Sequence, residues 1–392
     1  MKNKGEKILN NANKAAIFRT LIQSGPMSRI SLSKQLGLNK MSVTNYTNEL
    51  LAENLVREIG PVTSDVGRKP ILLDIAEDNP LFVALQITRF YISVGICNCK
   101  GKFQGIHMSP IEATDTSNSI VSKILASMEQ LLTPDIRDHI WAIGASSMGP
   151  VSYYEGALYI DERPNLSTCI NIRDILEEKY QLPVYVNNDI NTLLIAEKYF
   201  GNASEYNTFA VVGSSFGIGC SVMVNGQLYE GADGLGSEIG HITIKYGGKP
   251  CYCGNKGCLE RYASVPAIVE WIQEEHKKEN IPCEYNNWND FLRGVEEKNP
   301  ICLRGFDRLI EYLGAGLISL VNLFNPQQIF LGEYYAQAAA LMSEPLMKYI
   351  NEHQFFPKRF VTEVKGSHFM GISPLIGPAA FAMHMTVNPT NH

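Results

Sequence analysis

One histidine and three cysteines fall within a short stretch: His241, then Cys251-Tyr-Cys253-Gly-Asn-Lys-Gly-Cys258. Imidazole and thiolates are the ligands zinc prefers. Four of them close a tetrahedron with no position left for water, so the set predicts a structural zinc site. Gly254 and Gly257 allow the chain to bend around an ion. The competing reading is three free thiols and a core histidine. The other cysteines (Cys97, Cys99, Cys169, Cys220, Cys283 and Cys302) are expected to be buried apolar residues. Scattered cysteines, odd in number at nine, argue against a disulfide framework.

A second group of side chains can grip hydroxyls. Asn188 and Asp189 end the run Val-Tyr-Val-Asn-Asn-Asp, Glu238 begins Glu-Ile-Gly-His241, and Glu260 follows Cys258 by two residues. Carboxylates and amides accept and donate in pairs, which suits the vicinal hydroxyls of a sugar. If one ring nitrogen of His241 ligates zinc, the other can bond a ligand hydroxyl, so a single residue links metal to pocket. Read locally, Asn188-Asp189 is also a helix cap and Glu260 a surface acid.

A third group can read nucleic acid. Asn39, Lys40, Ser42 and Asn45 occupy the early exposed positions of a helix expected over about 40–53. Asn pairs with adenine, Lys with guanine, and Ser with either sort of base edge. Arg68 and Lys69 sit beside Gly67 at the tip of two short strands, where they can reach phosphate or a minor groove.

The elements that carry these groups follow from periodicity. Ile17, Leu21 and Ile22 repeat at helical spacing, Gly25-Pro26 ends that helix, and Ser28 caps the next. Gly37 suits the left-handed turn into the third helix, whose buried side is Val43, Tyr46 or Thr47, and Leu50. Helix, glycine turn, helix and a basic-tipped strand pair make a winged helix-turn-helix over residues 1–75. Its alternative use is protein contact. Residues 76–80 read as a polar linker. From Leu81 strands and helices alternate, so the body over 81–392 is α/β. One lobe is expected over about 81–200 with a returning helix at about 373–392, and a second over about 201–372 carrying the zinc loop.

Charge supports this division. The net charge is −6, yet residues 1–75 hold eleven Lys+Arg against six acids, leaving 23 against 34 in the rest. A basic head on an acidic body fits a nucleic-acid module joined to another function. No run of about 18 apolar residues and no signal-peptide pattern is visible, which points to a cytoplasmic protein without a membrane partner.

Several stretches carry a wider likeness. They are Gly67-Arg68-Lys69-Pro70, Met148-Gly149-Pro150-Val151, Asn188-Asp189, Gly236-Ser237-Glu238-Ile239-Gly240-His241, the three-cysteine cluster and Asn325-Pro326. With them the chain resembles, over nearly its whole length, the ROK family (repressor, open reading frame, kinase), and within it the sugar-responsive repressors of xylose-repressor type. The resemblance implies a two-lobed, actin-like (ribonuclease-H-like) sugar-kinase fold. It implies structural zinc, and sugar contacts from Asn165, Asn188, Asp189, Glu238, His241 and Glu260. It further implies operator DNA as a partner of a homodimer, or a homotetramer. Kinases of the family place Asp-x-Gly-Gly-Thr in the first strand turn, whereas this chain has Gln86-Ile87-Thr88-Arg89-Phe90. The second phosphate stretch, Ser214–Gly219, is also partly degraded. Phosphoryl transfer depends on positioning and charge stabilisation, so losing that cradle argues against an enzyme. The expectation is a repressor of carbohydrate-utilisation genes that senses a sugar. The rivals are an active sugar kinase with a regulatory head, and a DNA-bound regulator controlled by a partner protein.

Overall fold

A computed structural model describes residues 9, 11–61, 70–149, 151–152, 155–158, 169–232, 234–353, 355, 362–371 and 374–388. The chain divides into two compact units, Met1–Phe200 with Leu375–His392, and Gly201–Pro374.

The first unit opens with three helices whose ends are set by side-chain caps. Asn11 accepts the amides of Asn13 and Lys14 to start α1 (Ala12–Ser24), which stops at Gly25. After β1 (Met27–Ser28), the Ser28 hydroxyl caps α2 (Arg29–Leu36), and Gly37 leaves it in the left-handed region with φ 65°. Asn39 caps α3 (Lys40–Ala52). Phe18, Leu21, Leu32, Val43 and Leu50 form their shared core. Strands β2 (Val56–Pro61) and β3 (Ile71–Ile75) complete the winged helix in a sheet of order β1-β3-β2. The wing tip with Arg68 and Lys69 lies outside the described residues.

Residues 76–80, expected as a polar linker, are built into the unit instead. The Ala76 amide bonds the Leu55 carbonyl, buried Asn79 donates to the Glu53 carbonyl, and buried Asp74 pairs with Lys100 at 2.6 Å. Buried peptide groups need such partners, and here the wing and its neighbours supply them. Phe18 also packs on Trp141, with ring centroids 6.5 Å apart.

The same unit continues with β4 (Leu81–Ile87), β5 (Tyr91–Asn98), β6 (Phe103–Pro110), α4 (Ser117–Leu131), α5 (Pro134–Arg137) and β7 (Ile140–Ser147). A small sheet of β8 (Val151–Ser152), β9 (Ala157–Leu158) and β10 (Ile170–Asn171) follows, then α6 (Ile172–Tyr180), β11 (Val184–Asn188) and α7 (Asp189–Phe200). The main sheet runs β11-β7-β4-β5-β6, with β11, β7 and β4 parallel. Strands β4 and β7 are buried at every position, as parallel strands covered on both faces are.

The second unit repeats the plan. Its sheet, β14-β13-β12-β15-β16, contains β12 (Phe209–Ser214), β13 (Ile218–Val224), β14 (Gln227–Leu228), β15 (Gln328–Gly332) and β16 (Glu363–Gly366). Its helices are α8 (Glu260–Ala263), α9 (Val265–Lys278), α10 (Trp288–Glu296), α11 (Pro300–Phe324), α12 (Glu333–Gln337) and α13 (Ala339–His353). Ile268, Ile272, Leu313, Leu317 and Leu346 pack between helices and sheet. The last helix, α14 (Ile376–Val387), belongs to the first unit and packs on β4, β7 and α7. It begins at Ile376 rather than at 373. Two cysteine expectations need correction. Cys169 is exposed, in the irregular stretch entering β10, and Cys283 is only partly covered, in the coil before α10.

Candidate functional site

The metal loop starts at the 3-10 turn Ile239–His241 and is pinned by main-chain bonds. Ile244 donates to Gly257, Gly257 to Lys249, and Cys251 to Asn255. Gly257 has φ 82°, and a Cβ there would collide with the Lys245 carbonyl, so glycine is required. The loop brings Nδ1 or Nε2 of His241 and the sulfurs of Cys251, Cys253 and Cys258 within 4.8 Å of one another. A tetrahedral zinc with Zn–S about 2.3 Å and Zn–N about 2.0 Å separates sulfurs by about 3.8 Å and sulfur from nitrogen by about 3.5 Å. Cys253 and Cys258 sulfurs are 3.7 Å apart, and Cys251 Sγ is 3.7 Å from His241 Nδ1. The donor set therefore fits a four-coordinate metal. Burial pushes the Cys251 thiol up to about 12, while the Asn255 backbone N–H holds Cys253 below the usual thiol range.

Glu260 opens α8 with its carboxylate buried, which excludes the surface-acid reading. Its Oε1 accepts from the Cys251 thiol at 3.0 Å and lies 3.6 Å from His241 Nδ1. Glu238, three residues before His241, is exposed. The second ring nitrogen of His241 was expected to face a ligand hydroxyl. It meets Tyr252 Oη at 3.2 Å, with the two rings edge-on. Nothing in the sequence spacing signals that role for Tyr252.

In the first unit, β11 delivers Asn187 and Asn188 to the start of α7. Asn188 Oδ1 accepts the Asn191 amide at 2.8 Å, so it does cap the helix. Asn187 Oδ1 receives both the Asn188 amide and the Asn191 side chain at 2.8 Å. Asp189 Oδ1 accepts the Ile190 amide at 2.9 Å, and the residue is partly exposed at the carboxyl end of a parallel strand. That is where ligands bind in open α/β sheets. Asn165 lies outside the described residues.

The turn after β4 shows what replaced the phosphate cradle. Gln86 is buried, its Oε1 held by the Ser146 hydroxyl. Thr88 Oγ1 accepts both the Phe90 and Tyr91 amides, at 3.3 and 3.0 Å, and donates to the Tyr91 carbonyl at 3.1 Å. Two amides of this turn are thus bonded within it. The role of Thr88 was missed, although a threonine at the head of a short turn is a known signature of this bond. In the second unit Ser214 Oγ similarly donates to the Gly217 carbonyl at 2.7 Å and accepts the Val265 amide at 2.9 Å.

On α3, Lys40 and Asn45 are exposed and Ser42 is half-buried. Asn39 is exposed, and its Oδ1 accepts the Ser42 amide at 2.8 Å as the helix cap.

The ROK family model matches residues 82–385. A xylose repressor of Caldicellulosiruptor bescii is 26% identical over 387 residues, covering 96% of either chain. A xylose repressor of Bacillus spizizenii is 30% identical over 332 residues, covering 83% of each. A crystal structure of a ROK family transcriptional regulator, a homologue of the E. coli MLC protein, superimposes with a TM-score of 0.80. It shares 24% identity and covers 98% of this chain and 97% of its own. The expected two-lobed α/β fold with an N-terminal winged helix is the fold found.

Proposed function

The chain belongs to the ROK family, and from that premise we propose that it is a sugar-responsive transcriptional repressor rather than a kinase. The observation that carries the choice is the turn after β4, where Thr88 takes up the Phe90 and Tyr91 amides. A kinase needs a turn whose backbone is free to cradle phosphate; a sensor does not. The head supplies Lys40, Asn45, Ser42 and Asn39 for the major groove, and Arg68 and Lys69 for the backbone or minor groove. Asn165, Asn188, Asp189, Glu238, His241 and Glu260 contact the sugar. The names of the relatives point to xylose as the effector.

His241, Cys251, Cys253 and Cys258 would hold zinc, which when bound ties the loop together without a catalytic task. Binding zinc would deprotonate Cys251, so its thiol–Glu260 bond is a feature of the metal-free loop and would give way, leaving the Glu260 carboxylate to other donors. Two copies would bind a palindromic operator with half-sites about 34–36 Å apart. The test titrates an operator duplex, selected from a random library by the full-length protein, with and without a panel of pentoses and hexoses. The expected result is a sugar-specific change in operator affinity. ATP-dependent phosphorylation of a sugar at about 1 per second or faster would establish a kinase instead.

A further inference from the structure

Helix α7 starts at Asp189 and is buried along all of Ile190–Tyr199. A helix enclosed on every side moves as a body, because a packed interior offers it discrete positions rather than gradual deformation. Its packing partner is α14. Near the start of α7, Thr192 Oγ1 donates to the Asp189 carbonyl at 2.9 Å. The same atom lies 2.7 Å from where a Cβ on Gly377 would stand, so only glycine permits this approach. Seven residues further along both helices, Tyr199 Oη lies 3.0 Å from His384 Nδ1. The two helices therefore run in parallel and in step. They carry position from Asp189 to Tyr199 over about 15 Å at 1.5 Å per residue.

The far end of the pair is tied to the DNA-reading head. Asn388 caps α14 and donates through Nδ2 to Tyr199 Oη at 3.1 Å and to the His384 carbonyl at 2.9 Å. Its Oδ1 accepts from Arg19 Nη1 of α1 at 3.1 Å, and Arg19 also donates to the Val387 carbonyl at 3.1 Å. Arg19 is a cation at the negative end of α14, bonding one of the carbonyls that a helix terminus leaves open. Bonds from a charged donor are about twice as strong as neutral ones, so this tie is a firm one. Arg19 neighbours Phe18, which packs on Trp141.

We propose that Asn388 is a positioning residue. Through Arg19 and Tyr199 it fixes the angle of the winged helix to the α7–α14 pair, so that a ligand seated at Asp189 is felt by the DNA-reading helices. This rests on the sugar-sensor reading of the same residues. In a sensor the two affinities are linked, and whatever factor sugar imposes on operator binding, operator imposes on sugar binding.

The experiment uses the full chain, the selected operator duplex and D-xylose. Fluorescence anisotropy gives operator affinity with and without xylose, and calorimetry gives xylose affinity with and without operator. For Asn388→Ala and, separately, for Tyr199→Phe, which removes only the hydroxyl, xylose-free operator affinity and operator-free xylose affinity are expected to stay within about threefold of wild type. The cross-effect should fall towards 1 from a wild-type factor in the usual range of about 5–150. Hydrogen exchange should rise in α1 of Asn388→Ala. A purely structural residue would instead lower operator affinity in the absence of sugar and leave the ratio intact. Wild-type coupling retained by both variants overturns the proposal and leaves the sensor reading standing. A wild-type protein that binds operator but responds to no sugar overturns both.

Discussion

Replacing Cys258 with serine is the sharpest test of the metal loop. The residue is fully buried, its sulfur lies 3.7 Å from that of Cys253, and its carbonyl and neighbours anchor the first turn of α8. Structural zinc contributes about 10–16 kcal/mol to folding in small zinc-binding peptides, so one ligand of four corresponds to roughly 2.5–4 kcal/mol. At about 1.4 kcal/mol per decade that is two to three orders of magnitude in metal affinity. In a unit of this size, about 2–4 °C of melting temperature follow each kcal/mol, so the variant should melt roughly 5–15 °C lower than wild type. The loss should be confined to the second unit, since no ligand belongs to the first. Elemental analysis of the purified protein, thermal melts with and without a strong chelator, and hydrogen exchange mapped by unit supply the readouts. The reasoning requires about one zinc per chain and a chelator-sensitive upper melting step in wild type, and in Cys258→Ser a metal affinity about 10²–10³-fold weaker with that step roughly 5–15 °C lower. A wild-type protein that carries no metal and melts at the same temperature with or without chelator would refute it, because the loop would then be held by its main-chain bonds alone.

Three further outcomes follow from particular side chains. Asp189→Asn keeps an oxygen for the Ile190 amide but loses the charge, so operator binding should stay within about threefold while the sugar response disappears; a full response in anisotropy excludes Asp189 from the sugar site. Asn39→Ala removes the cap on Ser42 and should cost about 1 kcal/mol, read as roughly fivefold faster hydrogen exchange in α3; unchanged exchange contradicts the capping role. Lys40→Ala should cost about 1–3 kcal/mol on the selected operator and relax the base preference at one position; an unchanged base preference places Lys40 away from the base edges.

How much of this was legible in the sequence depends on the distance over which each feature is encoded. The metal loop is local. Four ligands and two glycines within one short stretch specify their own geometry, and the structure brings those ligand atoms together. Caps are local too, and so Ser28 and Gly37 stand where their residue types predict. The closed turn at Thr88 is equally short range, but it was read for what it lacks, the glycines, and not for the hydroxyl that fills their place. The linker was misread for a different reason. Ala76–Pro80 is polar in composition, yet its burial depends on Leu55, Glu53 and the Asp74–Lys100 pair, partners that no window of a few residues contains. The tie between head and body is the extreme case. Arg19 meets Val387 and Asn388 across more than 360 residues of chain, and each of the three is unremarkable in its own neighbourhood. A site made by one segment can be read from that segment. A connection between the middle of one helix and the end of another exists only once the fold has brought the two helices together. In a protein whose proposed task is to carry a signal from Asp189 to α3, the residues that transmit it are therefore the ones its sequence conceals most completely.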